Sequence, residues 1–114
     1  MMRGDQLGVG VIGLHEGRTL LVALNHIIPA NVGMPTEQIT RAPHARAVAG
    51  CDLREDKLAA ARRDCPDLFY TTDYDAMLKR DDVDIVAIYT PDPLHGDHIV
   101  RAFEAGKHVI CTKP

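Results

Sequence analysis

Between Asp84 and Tyr89 the chain runs DIVAIY, a nearly unbroken apolar stretch that Pro91 and Pro93 bring to a stop. Such a run suits a strand buried on both faces, as strands of a parallel sheet are when helices cover them. From His95 to Ala105, Ile99, Ala102 and Phe103 fall at i, i+3 and i+4, which makes one apolar stripe of a helix, and Gly106 supplies its C-terminal stop. His108 to Cys111 is a second short apolar run and leads into Thr112-Lys113-Pro114. A buried strand, a covering helix and another strand define a βαβ unit, whose crossover is right-handed.

The same alternation extends back to the N-terminus. Leu7 to Ile12 (LGVGVI) is apolar throughout and Gly13 follows at once, the entry to a strand–turn–helix unit. The helix is expected from about Glu16 to Ile28, with Leu20, Leu24, Ile27 and Ile28 on one face. Residues 29–43 carry three prolines and no sustained period, so they read as a loop inserted between the first helix and the second strand. A surface excursion at the sheet edge away from the glycine turn is expected there, with an oligomer contact through Val32, Met34 and Ile39 as the functional alternative. Ala45 to Cys51 reads as the second strand and Glu55 to Cys65 as a helix, with Leu58, Ala61 and Cys65 inward. Leu68 to Tyr70 reads as a short strand. Thr72 or Asp73 then caps a short helix whose Tyr74, Met77 and Leu78 share a face. Five strands with four intervening helices predict a doubly wound parallel α/β sheet of order 3-2-1-4-5 in one domain over residues 1–114.

That order places the carboxyl ends of strands one and four side by side, where ligands of such sheets bind. The geometry gathers Gly13, Asp52, Thr90, Pro91 and Lys113 at one edge. The first turn of a helix offers unpaired N–H groups and the positive end of a dipole, so Gly13, Leu14, His15, Glu16 and Gly17 are candidates to meet a pyrophosphate. The GxGxxG fingerprint is incomplete. Gly13 holds its first position, His15 its second, and Arg18 falls where the third would be, with Gly17 one residue early. A carboxylate at Asp52, ending the second strand, would accept the adenosine ribose hydroxyls and favour NAD; alternatively it caps the next helix. Arg54 tempers this, since a guanidinium can bind a phosphate or stack on adenine, so NADP stays open.

Composition narrows the alternatives. The net charge is −3, from 13 basic and 16 acidic residues, and no basic stripe interleaved with aromatics argues for nucleic acid. No apolar run approaches a membrane span and MMRGDQ opens no signal peptide, so a cytoplasmic protein without a membrane role is expected. The three cysteines, Cys51, Cys65 and Cys111, lack metal or redox spacing and read as reduced packing residues. His95 and His98 stand at i, i+3, but no third or fourth ligand has suitable spacing, and no metal site is expected.

Thr90-Pro91, His95, Ala105-Gly106-Lys107-His108-Val109 and Lys113-Pro114, in that order and spacing, resemble the N-terminal dinucleotide-binding domain of the Gfo/Idh/MocA oxidoreductases. The resemblance implies a Rossmann-like fold, a nicotinamide cofactor and hydride transfer to or from a sugar- or polyol-like carbinol. It further implies a role for Lys113, as proton-transfer group or as donor to the substrate oxygen. His95 then reads as a wall of the nicotinamide pocket, as a structural first-turn residue, or in a minor share as a catalytic acid. Thr112 stands where the family usually has glutamate. The family's second α/β domain, which supplies most substrate contacts, has no counterpart in these residues, so the chain alone is expected to be inactive and the full-length protein a homo-oligomer. Two other classes remain: a non-catalytic nucleotide-binding module, and more weakly an S-adenosylmethionine-binding sheet, which gives no reason for Lys113-Pro114.

Overall fold

The computed structural model describes residues 7–25 and 45–111. Five strands, β1 (Leu7–Ile12), β2 (Ala45–Cys51), β3 (Phe69–Thr71), β4 (Ile85–Ile88) and β5 (His108–Cys111), form one sheet of order β3-β2-β1-β4-β5. All four pairings are parallel. The helices are α1 (Gly17–Asn25), α2 (Glu55–Asp64), α3 (Tyr74–Leu78) and α4 (Asp92–Glu104). The doubly wound arrangement and strand order predicted by the alternation are present. The loop at 29–43, the expected end of the first helix with Ile27 and Ile28, and Thr112-Lys113-Pro114 lie outside the described residues.

Two cores form, one on each side of the sheet. Val9, Val11, Ala47 and Ala87 face α1 and α2, where Leu21, Leu58, Ala61 and Cys65 are buried against them. Ile12, Ala49, Cys51, Val86 and Ile88 face α3 and α4, meeting Tyr74, Met77, Leu78 and Ala102. Alternation along β1 and β4 sends successive residues to opposite cores, which is why these strands read as continuous apolar runs. Each fully buried Val, Leu or Ile contributes roughly 1.5–3 kcal/mol of burial. Between β1 and β2 the register slips: Val9 pairs with Ala47 but Gly10 pairs with Ala49, so Val48 is an extra residue on β2.

Local chemistry explains the helix ends. Glu55 and Asp56 open α2 and Arg62 and Arg63 close it, each charge suited to the dipole end it meets. Asp73, one of the two expected caps, accepts from the Asp75 N–H at 3.0 Å and starts α3.

Three expectations are corrected. The last helix begins at Asp92, not His95. Pro91 is its N-cap and Pro93 sits in its first turn, where a missing N–H costs nothing, so the prolines start the helix instead of separating it from the strand. Phe103, assigned to the inner stripe, is 61% exposed, because Ile99 and Ala102 turn the helix so that its neighbour faces outward. Cys51 and Cys65 are buried, but Cys111 is exposed on β5, an edge strand on which only Val109 is half-buried against the core. On α1, Leu21 is fully buried, with Leu20 and Leu24 half-buried beside it.

Candidate functional site

The carboxyl ends of β1, β2 and β4 meet at a cleft of about 630 Å³ lined by residues from all three strand ends and from α3 and α4. Its floor is the turn after β1. Gly13 has φ +93°, a conformation costly for any residue with a Cβ. A Cβ there would also lie 2.6 Å from the Tyr89 carbonyl carbon and 2.9 Å from the Thr90 nitrogen. The turn is held by hydrogen bonds from Gly13 N–H to the Cys51 carbonyl (2.9 Å) and from Gly17 N–H to the Gly13 carbonyl (3.1 Å). Gly17 opens α1 flat against β1, since a Cβ there would sit 2.5 Å from Val11 Cγ1. Close helix–strand packing is the task of the fingerprint's third glycine. Gly17 performs it from one position early.

Asp52 joins this turn to the end of β2. Its Oδ2 accepts the Leu14 N–H at 2.8 Å and its Oδ1 accepts the Arg54 N–H at 2.9 Å. The Leu14 side chain drops into the α1–α2 core, 1% exposed. Among the described residues, the N–H groups of His15 and Glu16 meet no protein acceptor, leaving donors at the start of α1 for an anion. Arg54 is held by Asp56 through two contacts, Nε–Oδ1 at 3.0 Å and Nη2–Oδ2 at 2.9 Å. That pairing keeps the Asp56 carboxyl below its ordinary range. Lys57, from the first turn of α2, reaches back to His15, with Nζ 3.2 Å from Nδ1.

The far wall of the cleft is a closed polar network around Thr90. The His95 ring donates through Nε2 to the Thr90 carbonyl, and His98 Nδ1 lies 2.9 Å from the Thr90 hydroxyl. The Tyr74 hydroxyl donates to the His98 carbonyl at 2.8 Å, while the two rings meet edge to face at 4.9 Å. Arg101 lies over the Tyr74 ring at 4.9 Å and pairs with Asp75 at 2.6 Å. His98 is only 8% exposed. Its burial lowers its pKa, so the ring is neutral at pH 7. Burial likewise raises the Tyr74 hydroxyl well above its ordinary value and pushes the Cys51 thiol up to about 12, with Asp52 and Asp73 adding to the latter. Cys51 is therefore no nucleophile at neutral pH.

Of the residues expected at a cofactor site, Gly13, His15, Asp52, Arg54, Thr90 and Pro91 line the cleft. Leu14, Glu16, Gly17 and His95 do not; Leu14 contributes its backbone and a core side chain, Gly17 its lack of one, and His95 its grip on Thr90. Lys113 lies outside the described residues. Nothing in the local sequence pattern marks Tyr74, His98 and Arg101 as cleft walls or Lys57 as a neighbour of the turn. Among the described residues no three His, Cys, Asp or Glu side chains gather as a metal centre requires, and no helix is long and apolar enough to cross a membrane.

A doubly wound parallel sheet with a glycine turn, a helix start carrying unpaired amides and an acid at the end of β2, all at one switch point, defines a dinucleotide-binding domain of the Rossmann class. The family described as "Oxidoreductase family, NAD-binding Rossmann fold" matches residues 7–114. The chain belongs to that family, the Gfo/Idh/MocA oxidoreductases, as its NAD-binding domain. It is 35% identical over 108 residues to a dTDP-3,4-didehydro-2,6-dideoxy-alpha-D-glucose 3-reductase of Streptomyces violaceoruber, covering 95% of this chain and 28% of that protein. Among solved structures it is similar to scyllo-inositol dehydrogenase from Lactobacillus casei with bound NAD(H) and scyllo-inositol, with TM-score 0.72 and 26% identity, covering 96% of this chain and 28% of that one. A variant 3-ketoreductase from Actinomadura kijaniata in complex with TDP-benzene and NADP gives TM-score 0.73 and 28% identity over 96% of this chain and 31% of that one. The chain thus spans about three tenths of the length of the relatives it matches.

Proposed function

We propose that the chain is the cofactor half of an oxidoreductase that moves a hydride between nicotinamide and a sugar- or polyol-like carbinol. The observation that carries this reading is the Asp52 carboxylate, half-buried in the cleft and fixed by the Leu14 N–H beside the glycine turn. There it can accept the adenosine ribose hydroxyls while the His15 and Glu16 amides receive the pyrophosphate. The bound nicotinamide supplies the acceptor or donor of the hydride. Thr90 and Pro91, fixed by His95 and His98, form the wall along which the cofactor lies. Lys113 is assigned to the substrate hydroxyl, either exchanging its proton or donating to its oxygen. The sugar named for one relative and the scyllo-inositol bound in another support the carbinol class.

Fluorescence titration with NADH and NADPH tests the reading. The protein is expected to bind NADH, and Asp52→Asn to weaken NADH about tenfold, the loss of one charge-assisted hydrogen bond, while leaving NADPH no weaker. Binding of neither cofactor would remove the proposal. A non-catalytic NAD-binding module is the second reading, favoured by His15 and Thr112 at positions where the family pattern has glycine and glutamate. Cofactor binding by the full-length protein, without oxidation of any polyol or sugar in a broad panel, would select it.

A further inference from the structure

We propose that His15 and Lys57 form a cationic clamp for the cofactor's diphosphate, replacing the close backbone approach that a glycine at position 15 would allow. The proposal deepens the NAD-binding reading and rests on it. Any side chain at the second position of the turn holds a diphosphate back from the amides beneath it. His15 and Glu16 keep those amides without protein acceptors, so an anion site remains but its closest approach is lost.

The structure supplies a charge in the same place. Lys57 Nζ stands 3.2 Å from His15 Nδ1, although the two residues are 42 positions apart. An ammonium has only donors, so in this contact Nδ1 is the acceptor and the ring's N–H is on Nε2. This leaves one ring N–H and the remaining ammonium hydrogens for an outside acceptor. Asp56 feels the Lys57 charge but is bonded to Arg54, and no carboxylate among the described residues forms an ion pair with Lys57; both Asp52 oxygens accept backbone N–H groups. An exposed lysine would ordinarily be solvated and indifferent to its neighbours. This one is carried by the turn residue that stands where a glycine would face the phosphates.

Two phosphates of a nicotinamide cofactor share this chemistry, the diphosphate and the 2′-phosphate of NADP. The diphosphate is favoured because His15 belongs to the turn at the start of α1, whereas the ribose end is held by Asp52, whose negative charge repels a 2′-phosphate.

Calorimetric titration of the protein with NADH, NADPH and ADP-ribose decides the matter. Lys57→Met is expected to weaken all three alike, about tenfold at low salt, as loss of a charge-assisted contact to phosphate should. The loss should shrink at high ionic strength, where an exposed charge is screened. In a His15→Gly background the same substitution should cost markedly less, because the lysine has lost its carrier and the backbone has regained its approach. Circular dichroism confirms that the variants are folded. A loss confined to NADPH would assign the pair to the 2′-phosphate and overturn the proposal. Unchanged affinities in a protein that binds NADH would overturn the clamp alone, and failure of the unaltered protein to bind NADH or NADPH would overturn both readings.

Discussion

The two ends of the cleft are built on opposite plans. At the glycine turn, His15, Arg54 and Lys57 are wholly or partly exposed, a single contact joins Lys57 to His15, Arg54 pairs with the exposed Asp56, and two amides lack protein acceptors. Around Thr90, by contrast, Tyr74 and His98 are buried and each is tied to a partner, so the polar atoms of that wall are largely satisfied before any ligand arrives. A buried polar group is tolerated only when bonded, whereas an exposed donor can wait for an anion at little cost to the fold. The closed end therefore holds the shape, and the open end retains the capacity to bind.

Substitutions should separate the two. Tyr74→Ala is the severest challenge to the closed end, because it removes a buried ring, its bond to the His98 carbonyl and its contact with Arg101 together. It should cost roughly 3–5 kcal/mol in urea unfolding, the usual range for a large aromatic in a core; a loss below about 1 kcal/mol would mean that the wall is not structural.

Acid should act on the same end more gently. His98 is held neutral by burial, with Asp97, Arg101 and His95 as its charged or titratable neighbours. Its folded pKa lies below the unfolded value of 6.5, so the unfolded chain takes up the proton first as pH falls. Its contribution is complete above about pH 6.5 and declines below it. Urea midpoints measured at about pH 7.5 and 5.5 should fall with acid, and His98→Asn, which can still reach the Thr90 hydroxyl, should fall less. Equal slopes would show that folding does not lower the pKa of the ring.

At the open end, Arg54→Ala should change stability by no more than about 0.5 kcal/mol, since its pair with Asp56 is solvent-exposed. A larger loss would blur the distinction between the ends.

Most of the fold was legible because parallel strands buried on both faces leave an unmistakable trace, and Gly13 and Asp52 could be placed because each ends a strand. The start of α4 is not legible, because a proline that ends a strand equally suits the first turn of a helix. The inner stripe assigned to Phe103 failed for a related reason: spacing gives the angle between residues but not which of them faces the sheet. His98 offered no signal of its burial, since its i, i+3 spacing from His95 suggests at most a metal pair and only the fold brings Tyr74 against it. Lys57 meets His15 only after the sheet brings α2 beside the turn, a contact that no local pattern carries.

The extra residue at Val48 sets the phase of everything that follows it on β2. Val48 and Ala49 enter the same core consecutively, and from there the alternation continues with Gly50 toward Leu14 and Cys51 toward the other side. Asp52 comes next in that rhythm, on the side where Leu14 offers its N–H. Without the skipped beat, every side chain beyond it would turn over and the carboxylate would face away from the turn. The chain can thus absorb exchanges of one apolar residue for another along 45–49 more readily than the loss of a single residue there, because the latter changes parity and not merely volume.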